Sequence, residues 1–147
     1  MNSTDSYRLS RFLRLQKHLG EQYDRYIQTG AEALGLTKPE ADVLLFLSNN
    51  PECTTARDLV RDRALSKAYV SKAVERLISR GYLRSEQGVA DRRLQYLTVE
   101  PAAMNVVQPL RKRQSLFFFR LTQNFTQEEE AVFDRLLDLF EENYRHL

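Results

Sequence analysis

The chain has 147 residues, 42% hydrophobic and 29% charged, with a formal net charge of +2. That length suits one domain with helical extensions and no second catalytic domain, and the composition is that of a globular chain, not a disordered or membrane-embedded one. One cysteine, Cys53, cannot close an intramolecular disulfide; two histidines, His18 and His146, are too few for a His/Cys metal site; and no apolar run is long enough to cross a bilayer.

The N-terminal stretch scatters Asp5, Arg8, Arg11 and Arg14 among its apolar residues. It therefore lacks the unbroken apolar core of a secretory signal, and a cytoplasmic location is expected. From about Ser6 to Leu34, the residues Leu9, Phe12, Leu13, Leu19, Tyr23, Tyr26 and Ile27 recur at three- and four-residue steps, which predicts an amphipathic helix. Gly30 should weaken or bend this helix and Gly35 should end it. Thr37-Lys38-Pro39-Glu40 then reads as a capping box, with Glu40 reaching back. The helix that follows should run to about Ser48 and bury Ala41, Leu44, Leu45 and Leu47.

Asn49-Asn50-Pro51 is a stop, and Cys53-Thr54-Thr55 is compatible with a small strand at the core edge, where a buried thiol would be inert. Oxidant sensing by Cys53 is the sharper but weaker reading. Thr55 caps a short helix, Ala56 to Arg63, and Ala64-Leu65 form a turn. Ser66 caps a further helix to about Arg80, with Val70, Ala73, Val74 and Leu77 facing inward and Gly81 closing it. Tyr82 to Glu86 and Leu94 to Val99 should pair as a hairpin around a loop that contains Gly88 and the charged run Asp91-Arg92-Arg93. Pro101 begins another helical segment, in which Pro109 should introduce a kink or split off the first turns. Thr126-Gln127-Glu128-Glu129 repeats the capping-box pattern, and the last helix should bury Val132, Phe133, Leu136, Leu137, Phe140 and Tyr144.

Two short helices joined by a tight turn and followed by a basic hairpin form a winged helix-turn-helix pattern. Charge follows the same division. Arg57 to Arg93 holds ten Lys or Arg against five Asp or Glu, whereas Thr126 to Leu147 holds two against seven. A basic middle suits phosphates and an acidic end should stay off them. Along the second short helix, Ser66, Lys67, Ala68, Tyr69, Ser71, Lys72 and Arg76 lie on or beside the outward face. They combine cations for phosphates or guanine edges with small side chains that let a helix enter the major groove, and Tyr69 can bond phosphate, pack on thymine methyls or pack on a neighbouring helix. Arg92 and Arg93 suit a minor groove, whose negative potential attracts guanidinium. Glu75 is expected to pair with Arg76 or Arg80.

The segments Leu36-Thr37-Lys38-Pro39-Glu40-Ala41-Asp42-Val43-Leu44 and Leu65 to Leu77, together with Arg80-Gly81-Tyr82-Leu83, Asp91-Arg92-Arg93 and Leu97-Thr98, resemble the MarR (multiple antibiotic resistance regulator) family in order and spacing. The resemblance implies a mainly α fold with a small β-wing: a winged helix-turn-helix lobe over 36–99, flanked by dimerisation helices over 6–34 and 101–147. It further implies a transcription regulator, by family default a repressor, that binds double-stranded DNA as a homodimer on a pseudo-palindromic site. Arg93 then matches the wing arginine of the minor groove and Asp91 the carboxylate that holds it. Relatives commonly carry a glycine and an unbroken helix after the wing, where this chain has Val99-Glu100-Pro101 and later Pro109.

Phe117-Phe118-Phe119 covers most of a helix circumference and should pack in a dimer core. The resemblance implies a second use, a pocket of Tyr23, Tyr26, Phe117 and Phe118 for a small phenolic or lipophilic effector such as related regulators bind. No phosphate loop, metal-ligand cluster or glycine-flanked nucleophile is present in the sequence, so an enzyme is not expected, nor any cofactor. The alternative kept open is a winged-helix module that binds protein instead of DNA.

Overall fold

A computed structural model describes residues 2–63 and 65–147; Ala64, expected in the turn before Ser66, lies outside them. The elements in chain order are α1 (Ser3–Ala33), α2 (Lys38–Asn49), α3 (Ala56–Asp62), α4 (Lys67–Ser79), β1 (Leu83–Gln87), β2 (Gln95–Val99), a 3-10 turn (Pro101–Ala103), α5 (Met104–Thr122) and α6 (Gln127–Tyr144). The fold is thus mainly α with a small two-stranded wing, as the sequence implies. Contacts divide the chain into two units, Met1–Ser115 and Leu116–Leu147. No helix among the described residues is long and apolar enough to cross a membrane.

Local chemistry sets the helix starts of the first unit. The side chains of Thr37, Thr55 and Ser66 each accept a hydrogen bond from the backbone N–H three residues on, which satisfies a donor that a helix end leaves unpaired. Gly35 and Gly81 adopt φ values of 71° and 75°, the left-handed conformation that turns the chain out of α1 and α4 and that a side chain would strain. The core joins Ile27 and Ala31 of α1, Leu44 and Leu45 of α2, Leu59 of α3, Val70, Val74 and Leu77 of α4, Leu83 and Leu97 of the strands, and Val107 and Leu110 of α5. Burial of each large aliphatic side chain contributes about 1.5–3 kcal/mol. β1 and β2 pair antiparallel, Leu83 opposite Val99 through Gln87 opposite Gln95. Thr55 adds an isolated bridge to Tyr96, and the Leu97 N–H donates to the Thr54 carbonyl at 2.7 Å, so the stretch before α3 meets the wing by a single bridge where a small strand was expected.

Several expectations need correction. α1 is unbroken at Gly30, whose missing side chain makes room for a neighbour. A Cβ there would lie 2.3 Å from Cδ of Arg113, whose guanidinium donates to the Tyr26 carbonyl and covers the Tyr26 ring at 3.9 Å. Glu40 does not close a capping box. Its buried carboxylate accepts from the Thr37 hydroxyl at 3.1 Å and from Arg80 Nη1 at 2.9 Å. Arg80 also donates to the Gly35 carbonyl at 2.8 Å, and Glu75 forms no ion pair with Arg76 or Arg80 among the described residues.

Pro109 does not split α5. The break falls earlier, in the 3-10 turn, and α5 continues through Pro109. Pro109 and Asn105, whose carbonyl loses its partner, are both exposed, so water can satisfy the freed acceptor while Val106, Val107 and Leu110 stay buried.

In the second unit, α6 is capped by Thr126 with Glu129 in a full capping box, and its first turn is acidic, which suits the positive end of the helix dipole. Yet α6 buries none of its residues within the chain. Val132, Leu136, Leu137, Phe140 and Tyr144 are exposed and Phe133 is half-buried, packed between Phe118 and Phe125 at ring separations of 6.1 and 6.0 Å. Leu9, Phe12 and Leu13 of α1 are likewise exposed.

Candidate nucleic-acid interface

α4 carries its apolar stripe, Val70, Ala73, Val74 and Leu77, into the core and leaves Lys67, Ala68, Ser71, Lys72 and Arg76 in solvent. Ser66 is the N-cap; its oxygen accepts from the Tyr69 N–H at 3.1 Å, so its first task is to hold the helix start. α3, the N-terminal half of α4 and the wing where its loop enters β2 enclose a groove of about 580 Å³, lined among others by Arg57, Lys67, Ser71, Arg93 and Gln95 together with Val60, Val70 and Val74. The structure therefore brings one α4 cation, Lys67, together with Arg57 of α3 and the wing arginine Arg93 around a single concave surface, while Lys72, Arg76 and Arg92 are exposed outside its lining.

The wing loop owes its shape to Gly88. A Cβ there would meet the Asp91 carbonyl at 2.4 Å, so only glycine fits, and the Gly88 N–H donates to the Leu94 carbonyl at 2.9 Å. The close approach sets Asp91 against Arg93. Both carboxylate oxygens accept from the guanidinium, at 3.1 and 3.2 Å, and one also accepts from the Arg93 N–H at 3.0 Å. These bonds to Arg93 hold the Asp91 carboxyl below its usual range, so it stays charged as pH falls and releases the arginine only below that range. Arg93 remains 84% exposed, a guanidinium fixed at one edge and open at the other. Arg92 is exposed beside it, and its carbonyl accepts from Gln87 Nε2 at 2.8 Å.

Tyr69 sits differently from its outward neighbours. Its hydroxyl donates to Asp42 Oδ2 at 3.0 Å, and burial, then the Asp42 charge, push its pKa well up. The hydroxyl is thus engaged inward, on a residue of α2. Asp42 was not recognisable as a partner from the sequence. It is 2% exposed, and Lys38 Nζ lies 2.6 Å from the same Oδ2 and 3.2 Å from Asp24 Oδ1. Its Oδ1 has no hydrogen bond and faces Arg63 Nη2 at 3.8 Å.

Of the four residues expected to line an effector pocket, Tyr23 and Tyr26 belong to the first unit and Phe117 and Phe118 to the second. Tyr23 is half-buried; its hydroxyl accepts from Gln114 Nε2, and it borders a cleft of about 130 Å³ with Asp42, Leu45, Phe46, Asn49 and Arg63. Tyr26 is capped by Arg113, Phe118 packs on Phe133, and Phe117 is half-buried. Cys53 is half-buried, not fully buried as expected. Its thiol donates to Asp62 at 3.5 Å, and burial, Asp62, Glu52 and Asp58 all raise its pKa, which disfavours the reactive thiolate. Among the described residues no group of three or more His, Cys, Asp or Glu could hold a metal ion.

A MarR family profile matches residues 34–94, the stretch that contains α2, α3, α4 and the wing loop. This segment is similar to the MarR family. The MarR-type fold extends well beyond it. A MarR protein from Peptoclostridium difficile is 24% identical, with 92% of this chain and 88% of that chain covered and a TM-score of 0.75. A Listeria monocytogenes protein described as a MarR family transcriptional regulator, solved in complex with a 26mer DNA, is 17% identical over 89% of this chain and 87% of its own, with a TM-score of 0.76. Bordetella bronchiseptica BpsR, described as regulated in its DNA binding by 6-hydroxynicotinic acid, is 21% identical over 89% of this chain and 98% of its own, with a TM-score of 0.67. Among functionally curated proteins none matches the sequence.

Proposed function

We propose that this MarR-type protein is a sequence-specific double-stranded DNA-binding transcription regulator that acts as a cytoplasmic homodimer on a pseudo-palindromic operator, where it represses. The observation that carries this reading is the shared rim of Lys67, Ser71 and Arg93 on one groove, with Arg93 clamped by Asp91 yet open to solvent. Flexible lysines suit phosphates, the small Ala68 and Ser71 let α4 approach base edges, and a wing arginine aimed by a carboxylate loses less freedom on entering a minor groove.

Dimerisation follows from the apolar residues that the chain leaves uncovered. Leu9 and Leu13 of α1 and Val132, Leu136 and Leu137 of α6 are about half exposed, an apolar load that a second copy would bury. A twofold pair of lobes would read half-sites about 34 Å apart. The Tyr23 cleft is the candidate place for a small phenolic effector, since the Tyr23 hydroxyl, Gln114 and Arg63 offer polar contacts beside Leu45 and Phe46.

Selection from a random pool of duplexes tests the reading. The expected result is enrichment of two inverted half-sites spaced by about one helical turn; no enrichment over input, with binding to a protein partner instead, would favour the interaction-module alternative. Phenolic and lipophilic compounds added to the selected complex should release it. A broad panel that releases nothing counts against the effector.

A further inference from the structure

We infer that Asp42 is a positioning residue for the recognition helix, and that Tyr69 serves DNA reading from inside the protein, as the tether through which Asp42 fixes the first turn of α4. This rests on the DNA-binding function proposed above. Asp42 belongs to α2, not to the helix-turn-helix pair or the wing, and is buried. Its carboxylate joins three neighbours. Lys38, 2.6 Å away, carries the link to Asp24 of α1; Arg63, at the end of α3, faces Oδ1; and the Tyr69 hydroxyl of α4 donates to Oδ2.

Tyr69 is the third residue of α4, and its two polar groups hold the helix start independently. Its N–H is taken by Ser66 and its hydroxyl by Asp42. A first helical turn has unpaired donors and frays unless something beyond the backbone anchors it. The exposed residues on either side, Lys67, Ala68, Ser71 and Lys72, are those the proposed function sends into the major groove. Hydrogen bonds to base edges tolerate little misplacement, whereas a lysine on a long flexible stem still reaches a phosphate after the turn has shifted. The tether therefore controls discrimination between sequences more than it controls attraction to DNA.

The test uses the full chain, the duplex recovered by selection and a scrambled duplex of the same composition, with affinities measured across a salt series. Tyr69→Phe removes only the tether's donor, Asp42→Asn removes the charge it bonds, and Lys72→Ala supplies a phosphate-contact comparison; urea unfolding records the folded fraction of each. Tyr69→Phe and Asp42→Asn should each weaken binding to the selected duplex by about tenfold, the size expected for loss of a hydrogen bond to a charged group. Scrambled binding and the salt slope should stay as in the wild type, and the double variant should be no worse than the poorer single one. Lys72→Ala should instead lower the slope by about one and weaken both duplexes alike.

A slope lowered by about one in Tyr69→Phe would mark the tyrosine as a phosphate contact and overturn the inference. So would wild-type affinity for the selected duplex in both folded variants. If the wild type enriches no duplex at all, the DNA-reading function fails first and the tether falls with it.

Discussion

Gly30 and Asp42 stand where local rules mislead. A glycine inside a helical run is ordinarily a weakness worth about 1 kcal/mol against alanine. Here the bare backbone admits the Arg113 side chain, which joins α5 to α1 through the Tyr26 carbonyl and ring. Gly30→Ala should therefore destabilise the protein by about 1–2 kcal/mol, as overpacking does, despite the gain in helix propensity. Urea unfolding measures this, and a stabilised variant would contradict the Arg113 packing. The burial of Asp42 and Glu40 was partly legible. α2 is apolar on nearly every side, with Ala41, Val43, Leu44, Leu45 and Leu47 all buried, and charges set within such a helix have to be buried and paired. Beside the local partners Lys38 and Thr37, each has one far along the chain, Tyr69 for Asp42 and Arg80 for Glu40, 27 and 40 residues away, and no local spacing reports such distances.

Elements with strong punctuation were readable nearly to the residue. Thr37, Thr55, Ser66 and Thr126 cap as their side chains suggest, and the wing strands fall within one residue of their expected limits. α5 was harder, because the cost of an interior proline falls where water can reach the freed carbonyl, and Asn105 and Pro109 are exposed. The apolar period of α6 was read correctly as a period and wrongly as burial within this chain. Hydrophobic spacing reports that a face must be covered, not which copy covers it. Leu136 is 48% exposed, so Leu136→Asp should leave helicity intact by circular dichroism while shifting the protein from dimer to monomer in sedimentation equilibrium. An undisturbed dimer would place its interface elsewhere.

For the molecule as a whole, a net charge of +2 conceals the feature that matters. Ten cations lie between Arg57 and Arg93, and the structure assembles Lys67, Lys72, Arg76, Arg92 and Arg93 on exposed positions of α4 and the wing, while α6 opens on Glu128, Glu129 and Glu130. This distribution allows a nearly balanced chain to approach DNA by one lobe. The most direct test is the salt dependence of duplex affinity between about 50 and 200 mM for the wild type, Lys72→Ala and Arg93→Ala. The account predicts a steep linear fall of log affinity with log salt, with both variants weaker than the wild type and Lys72→Ala less steep by about one. Affinity that ignores salt and is the same in all three proteins would contradict it.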